Sequence, residues 1–121
     1  MEVDRNGLEV LGRDECLRLL SSANLGRIGF TASALPSVLP VAFHLDGERI
    51  MVRTGRGSQL DTGLQNTVVA FEVDEFDPID HSGWSVSVTG LATEVDEAVV
   101  AISTELLSGR RTTTASLVLG R

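Results

Sequence analysis

The chain has 121 residues, a formal net charge of −7 and a pI of about 4.7. That length suits one domain with a self-standing core, here expected to span 1–121, and the 42% hydrophobic content argues against disorder. The acidic balance disfavours nucleic-acid phosphates and anionic membrane surfaces as partners.

All ten basic residues are arginine and no tyrosine is present. Lysine Schiff-base chemistry and tyrosine acid–base chemistry are therefore excluded. Cys16 is the only cysteine, so no intrachain disulfide forms and a reduced cytoplasmic protein is expected. The first residues are acidic and mixed, which predicts no signal peptide, and no segment approaches the roughly 18 apolar residues of a membrane helix.

Residues 1–11 show only weak alternation and read as a leader. From Arg13 the pattern is helical: Cys16, Leu17, Leu19 and Leu20 share one stripe, with Asp14 and Glu15 in the first turn where the dipole favours acids. A short helix over 13–22 is predicted. Strands follow. Ile28, Phe30 and Ala32 alternate over 27–32, and Leu39, Val41, Phe43 and Leu45 alternate over 38–45. Asp46-Gly47 is a hairpin signal, with a return strand at 49–54. Gly55 and Gly57 break that strand, and Ser58 is placed to cap a short helix over 59–65.

Val69, Phe71 and Val73 mark a strand over 67–74. After a loop at Asp77–Gly83 comes a long strand over 84–95, with Gly90 as an expected bend or bulge. Asp96 is then read as the cap of a helix carrying Val99, Val100, Ile102, Leu106 and Leu107, ended by Gly109. A last strand is expected at 115–119. The set predicts a mainly β, α+β chain: an antiparallel split barrel of about six strands with short helices.

Chemistry has few candidates. His44 and His81 are the only histidines and show neither HxH nor HxxxH spacing, so a metal site is not expected. No GxSxG elbow is present, and Cys16 lies on an apolar stripe as a structural thiol. Glu72–Asp77 is an acidic run that fits a solvated strand end or a pair of acids for proton transfer. Arg49, Arg53 and Arg56 form a basic island with no acid between Arg49 and Arg56. Two glycines, a serine hydroxyl, a helix start and guanidinium groups together suit a phosphate. The same residues equally fit a glycine-rich turn with solvated arginines.

An ordered set of segments carries a resemblance. Leu25-Gly26-Arg27-Ile28-Gly29-Phe30, Pro36, Val38-Leu39-Pro40-Val41-Ala42-Phe43, Asp46-Gly47, Arg53-Thr54, Gly57-Ser58-Gln59-Leu60, Val69–Asp74, Gly83-Trp84-Ser85-Val86 and Gly90 follow in unbroken order. Together they resemble the pyridoxamine 5′-phosphate oxidase-like proteins, in the small branch that includes nitroimidazole-resistance proteins. The resemblance implies a split-barrel homodimer with FMN at the subunit interface. It places Arg53, Thr54 and Ser58 at the flavin phosphate, with Gln59 and Leu60 in the same cofactor-binding segment. It sets Leu39, Pro40 and Val41 along the isoalloxazine ring, and Trp84 near the dimer interface and the partner's flavin. Trp84 reads equally as a core or interface anchor.

Two features depart from the family. Gln59 stands where relatives usually carry lysine, and the chain after Leu107 lacks the usual tryptophan-containing tail strand, so part of the cofactor wall is expected to be missing. The resulting expectation is an FMN-dependent oxidoreductase acting on a small-molecule substrate. The alternatives are a deazaflavin-dependent reductase and a non-enzymatic or degenerate flavin-binding relative, with an empty cofactor site among the possibilities.

Overall fold

A computed structural model describes residues 1–58, 60 and 64–114. The described elements are β1 (Glu9–Leu11), α1 (Arg13–Ser21), β2 (Leu25–Ala32), β3 (Leu35–Asp46), β4 (Arg49–Arg53), β5 (Thr67–Phe76), β6 (Gly83–Asp96), β7 (Val99–Ile102) and β8 (Leu106–Arg111). Every strand pairing is antiparallel. The order β1-β8-β6-β5-β2-β3-β4-β7 closes through a further β6–β7 pairing. Six strands thus form a barrel, β6-β5-β2-β3-β4-β7, with β8 and β1 added outside it. The predicted split barrel is the observed architecture.

Alternation fills the barrel. Ile28, Phe30, Val41, Phe43, Ile50, Val52, Val69, Phe71, Val73, Val86, Val88, Val100 and Ile102 are all buried and belong to one core. The inward positions are mostly β-branched or aromatic, which suits a pleated half-buried surface. Phe71 and Phe43 meet edge to face with centroids 5.0 Å apart. A Cβ at Gly26 would lie 2.5 Å from the Phe71 ring, so the missing side chain makes room for that ring. The helix α1 buries Cys16, Leu19 and Leu20, while Leu17 is only partly buried.

The split arises on β6. Its first half, Trp84–Thr89, pairs with β8, and its second half, Ala92–Asp96, pairs with β7. Gly90 lies at the change of partner. Its pairing with Val69 is regular, so it is not a bulge. A Cβ there would lie 2.2 Å from the Ser103 carbonyl oxygen, because the β7–β8 connection crosses directly over it. The one irregularity in the β6–β7 pairing lies between Glu94 and Asp96.

The helix expected after Asp96 is not formed. Val99–Ile102 and Leu106–Arg111 are strands. Their apolar spacing fits both periods, but β4 and the second half of β6 each leave an edge of unpaired backbone groups, and β7 satisfies both. Gly109 ends no helix. It pairs with Val86 and with Leu11, and a Cβ there would lie 2.6 Å from the Cys16 sulfur, so it lets α1 seat on β8. The leader is likewise structured, since Glu9–Leu11 pairs with Gly109–Arg111. Arg110 and Arg111 lie in the strand β8 beside β6, in a segment for which the sequence predicted no strand. The strand expected at 115–119 lies outside the described residues, as do most residues of the helix expected at 59–65.

Candidate functional site

The segment Arg53–Ser58 leaves β4 and turns sharply. The Thr54 N–H donates to the Ala98 carbonyl at 2.9 Å, tying the segment to the β6–β7 turn. The Ser58 N–H donates to the Gly55 carbonyl at 3.0 Å, and the Ser58 hydroxyl donates to the Thr54 carbonyl. Gly55 and Gly57 take φ of 73° and 75°, the left-handed region that glycine enters without cost. Thr54 is buried at 4% exposure and Leu60 packs in the core. Thr54, Ser58 and Leu60 thus shape and anchor the loop. Gln59 lies outside the described residues.

Arg53 is exposed at the end of β4, opposite Val99. Nearly every other described arginine has a carboxylate. Arg13 meets Glu48, Arg18 meets Glu15, Arg27 meets Glu72 and Asp74, and Arg49 meets Asp46. Arg56 meets Glu97, Arg110 meets Asp4, and Arg111 meets Glu9 and Glu15. Among the described residues only Arg53 and the distant Arg5 have no such partner. A guanidinium with no carboxylate beside it among the described residues, at the start of a glycine-containing loop, can take an anion without first breaking an ion pair.

Register connects this loop to β3. Phe43 pairs with Val52, so Arg53 lies one step further on, beside Ala42 and two residues along the strand from Pro40. Pro40 is exposed, Leu39 half-buried and Val41 buried in the core. Pro40 and Arg53 therefore share the outer surface of the barrel, whereas Val41 supports that surface from within. A small cavity of about 130 Å³ beside Pro40 is lined by Leu25, Gly26, Arg27 and Asp74.

Arg27, which pairs with Pro40 on one side, pairs with Glu72 on the other. Its Nη1 lies 3.2 Å from Glu72 Oε1 and 3.5 Å from Asp74 Oδ2. Partial burial, with the Asp74 carboxylate close by, raises the Glu72 carboxyl to about 6 against the pull of Arg27. The acidic run is thus divided: Glu75 accepts from Trp84 Nε1 at 3.0 Å, and Asp77 accepts from the Ile79 N–H within its loop. The Arg27–Glu72–Asp74 cluster was not singled out in the sequence, because pairing Arg27 with residues 45 and 47 positions away requires the register.

Trp84 is not gathered to the Arg53–Pro40 surface. It continues the inward alternation of Val86 and Val88 at the end of β6, half-buried in a cleft of about 270 Å³ with Leu8, Phe76, Arg110 and Thr112. His44 is an exposed β3 residue opposite Met51, and Cys16 is buried. Among the described residues no group of three or more histidine, cysteine or acidic side chains is arranged to hold a metal ion. No described helix is long and apolar enough to cross a membrane.

The family profile described as pyridoxamine 5′-phosphate oxidase matches residues 12–116. An uncharacterised protein of Mycobacterium tuberculosis is 42% identical over 92 residues, covering 72% of this chain and 60% of that protein. The chain thus spans less than two thirds of the length of that relative. The structure of an FAD-binding protein from Mycobacterium smegmatis superposes with a TM-score of 0.80 at 32% identity, covering 88% of this chain and 99% of the other. An FAD-binding protein from Mesorhizobium loti shares the fold with a TM-score of 0.74 at 20% identity, over 88% and 97% of the two chains.

Proposed function

This chain belongs to the pyridoxamine 5′-phosphate oxidase family, and from that premise we propose that it is a flavin-binding oxidoreductase holding FMN by its phosphate at the Arg53–Leu60 segment. The observation that carries the reading is Arg53: an exposed guanidinium without a carboxylate partner among the described residues, beside a loop opened by Gly55 and Gly57. A phosphate fits there by charge and by planar hydrogen bonding. Thr54, Ser58 and Leu60 hold the loop that presents it. Leu39, Pro40 and Val41 supply the strand against which the ring rests, with the Gly26–Arg27 cavity at its flank. The bound flavin supplies the redox chemistry, and this chain binds and orients it.

The outer face argues for a second copy. Arg53 and Pro40 stand on an exposed barrel surface that covers a flavin from one side only. Next to them a row of small and apolar residues, with one threonine, runs across five strands in register: Val38, Gly29, Ala70, Thr89 and Leu106. Val38 and Leu106 are 67% and 68% exposed. An apolar patch of this extent suits a self-complementary interface. The proposal is a homodimer in which each copy closes the other's flavin site and Trp84 serves the partner's flavin. The lone buried thiol suits a reducing cytoplasm.

FAD is the second reading, favoured by the 32% identical FAD-binding protein of Mycobacterium smegmatis. A visible spectrum of the purified protein, followed by titration with FMN and with FAD, tests both. A flavin band with tighter uptake of FMN is expected. Tighter uptake of FAD selects the second reading, and a colourless protein that takes up neither sinks the proposal. Sedimentation should give twice the chain mass.

A further inference from the structure

The β6–β7 turn brings an acid to the phosphate loop. Asp96 pairs with Val99 across the two-residue turn Glu97-Ala98. Ala98 takes φ of 55°, a conformation unusual for a residue with a side chain, and its carbonyl accepts from the Thr54 N–H. The turn is thereby fixed to the start of the loop. In that position the Glu97 carboxylate meets the Arg56 guanidinium. The two side chains are 68% and 73% exposed, so the pair is weak and exchanges readily with solvent or another anion.

We propose that Glu97 is an internal competitor for the phosphate at this loop, and so sets how tightly the chain holds a phosphate-bearing flavin. This inference rests on the flavin reading above. With Glu97 on Arg56, the guanidinium of this loop that has no carboxylate partner among the described residues is that of Arg53. A phosphate monoester carries between one and two negative charges near neutral pH. It must either settle for Arg53 or take Arg56 away from Glu97, and in both cases it meets the repulsion of the remaining carboxylate. A flavin without a phosphate meets no such competition.

The test compares the full chain with Glu97→Gln, which keeps the turn length and the Ala98 carbonyl. Each is titrated with FMN and with riboflavin, at low and at high salt. Glu97→Gln should bind FMN about two- to fivefold tighter at low salt, the range for removing one exposed ionic contact. The gain should shrink toward 1 M salt, where the Debye length falls to about 3 Å. Riboflavin should show no gain, and the melting temperature should not move. In an Arg56→Gln background the same substitution should gain less, because part of its effect passes through Arg56.

Unchanged or weaker FMN binding by Glu97→Gln, in a protein whose FMN binding depends on Arg53, overturns the proposal and leaves the flavin reading standing. An equal gain with riboflavin overturns it too, since charge would not be the cause. If neither chain binds FMN or FAD, the flavin reading has failed and this inference falls with it.

Discussion

Arg27 and Glu72 face one another across β2 and β5, with the arginine Nη1 3.2 Å from the Glu72 Oε1. The same guanidinium reaches Asp74 at 3.5 Å, and Pro40 flanks it on β3. One cation thus serves two carboxylates on the outer face of the barrel, and the cost of holding them together falls on Glu72.

That cost should appear in the pH profile. Glu72 titrates at about 6 in the folded chain against an ordinary 4.5. The folded state binds this proton more tightly than the unfolded chain does. Its contribution is therefore fully present below about pH 4.5 and is lost as pH rises through about 6. Glu15 acts in the opposite sense. Its hydrogen bonds from Arg18 and Arg111 lower it to about 2, so its contribution is present above pH 4.5 and lost as pH falls toward 2. Thermal melts across pH 3–7 should flatten between 4.5 and 6 in Glu72→Gln and flatten on the acid side in Glu15→Gln. A Glu72→Gln profile parallel to that of the parent between 4.5 and 6 contradicts the assignment.

Gly90 should not tolerate a side chain. Backbone rather than a flexible side-chain tip occupies the space, since the Ser103 carbonyl oxygen lies where a Cβ would go. Gly90→Ala should cost about 3 kcal/mol, the upper part of the range for overpacking, read as a fall in the denaturant midpoint. A substitution there without effect places the β7–β8 crossing elsewhere.

Gly26 and Phe71 should behave as a coupled pair. Gly26→Ala pushes a methyl against the Phe71 ring and should cost about 1–3 kcal/mol. Phe71→Leu alone leaves space in the core and destabilises as well. Combined, the two should cost less than their sum by about 0.5–3 kcal/mol. Simple additivity in equilibrium unfolding would show that the ring and the glycine do not touch.

For the flavin site, Arg53→Ala should weaken FMN binding by about 1.5–3 kcal/mol, the range for losing a charge-assisted hydrogen bond, with melting temperature nearly unchanged because the side chain is exposed. Gln59→Lys should strengthen binding by adding a cation to this acidic chain's phosphate segment. Titration by flavin fluorescence reads both, and an Arg53→Ala protein with parental affinity means that the phosphate is held elsewhere.

Local pattern by itself determined α1, the strands β2 to β6, the Gly47-centred hairpin and the inward set from Ile28 to Val73, because alternation and turn chemistry are written residue by residue. It also marked Arg49, Arg53 and Arg56 together, since an island of arginines in an acidic chain is visible without a fold. Tertiary structure decided the rest. Val99–Ile102 became a strand because two open sheet edges needed backbone partners, a demand that no local window contains. Gly90 and Gly109 proved to be places of close approach, to Ser103 and to Cys16, rather than a bulge and a helix stop. The ion pairs Arg27–Glu72 and Arg56–Glu97 join residues 45 and 41 positions apart. They depend on strand register and on the Glu97-Ala98 turn, which only the closed barrel fixes.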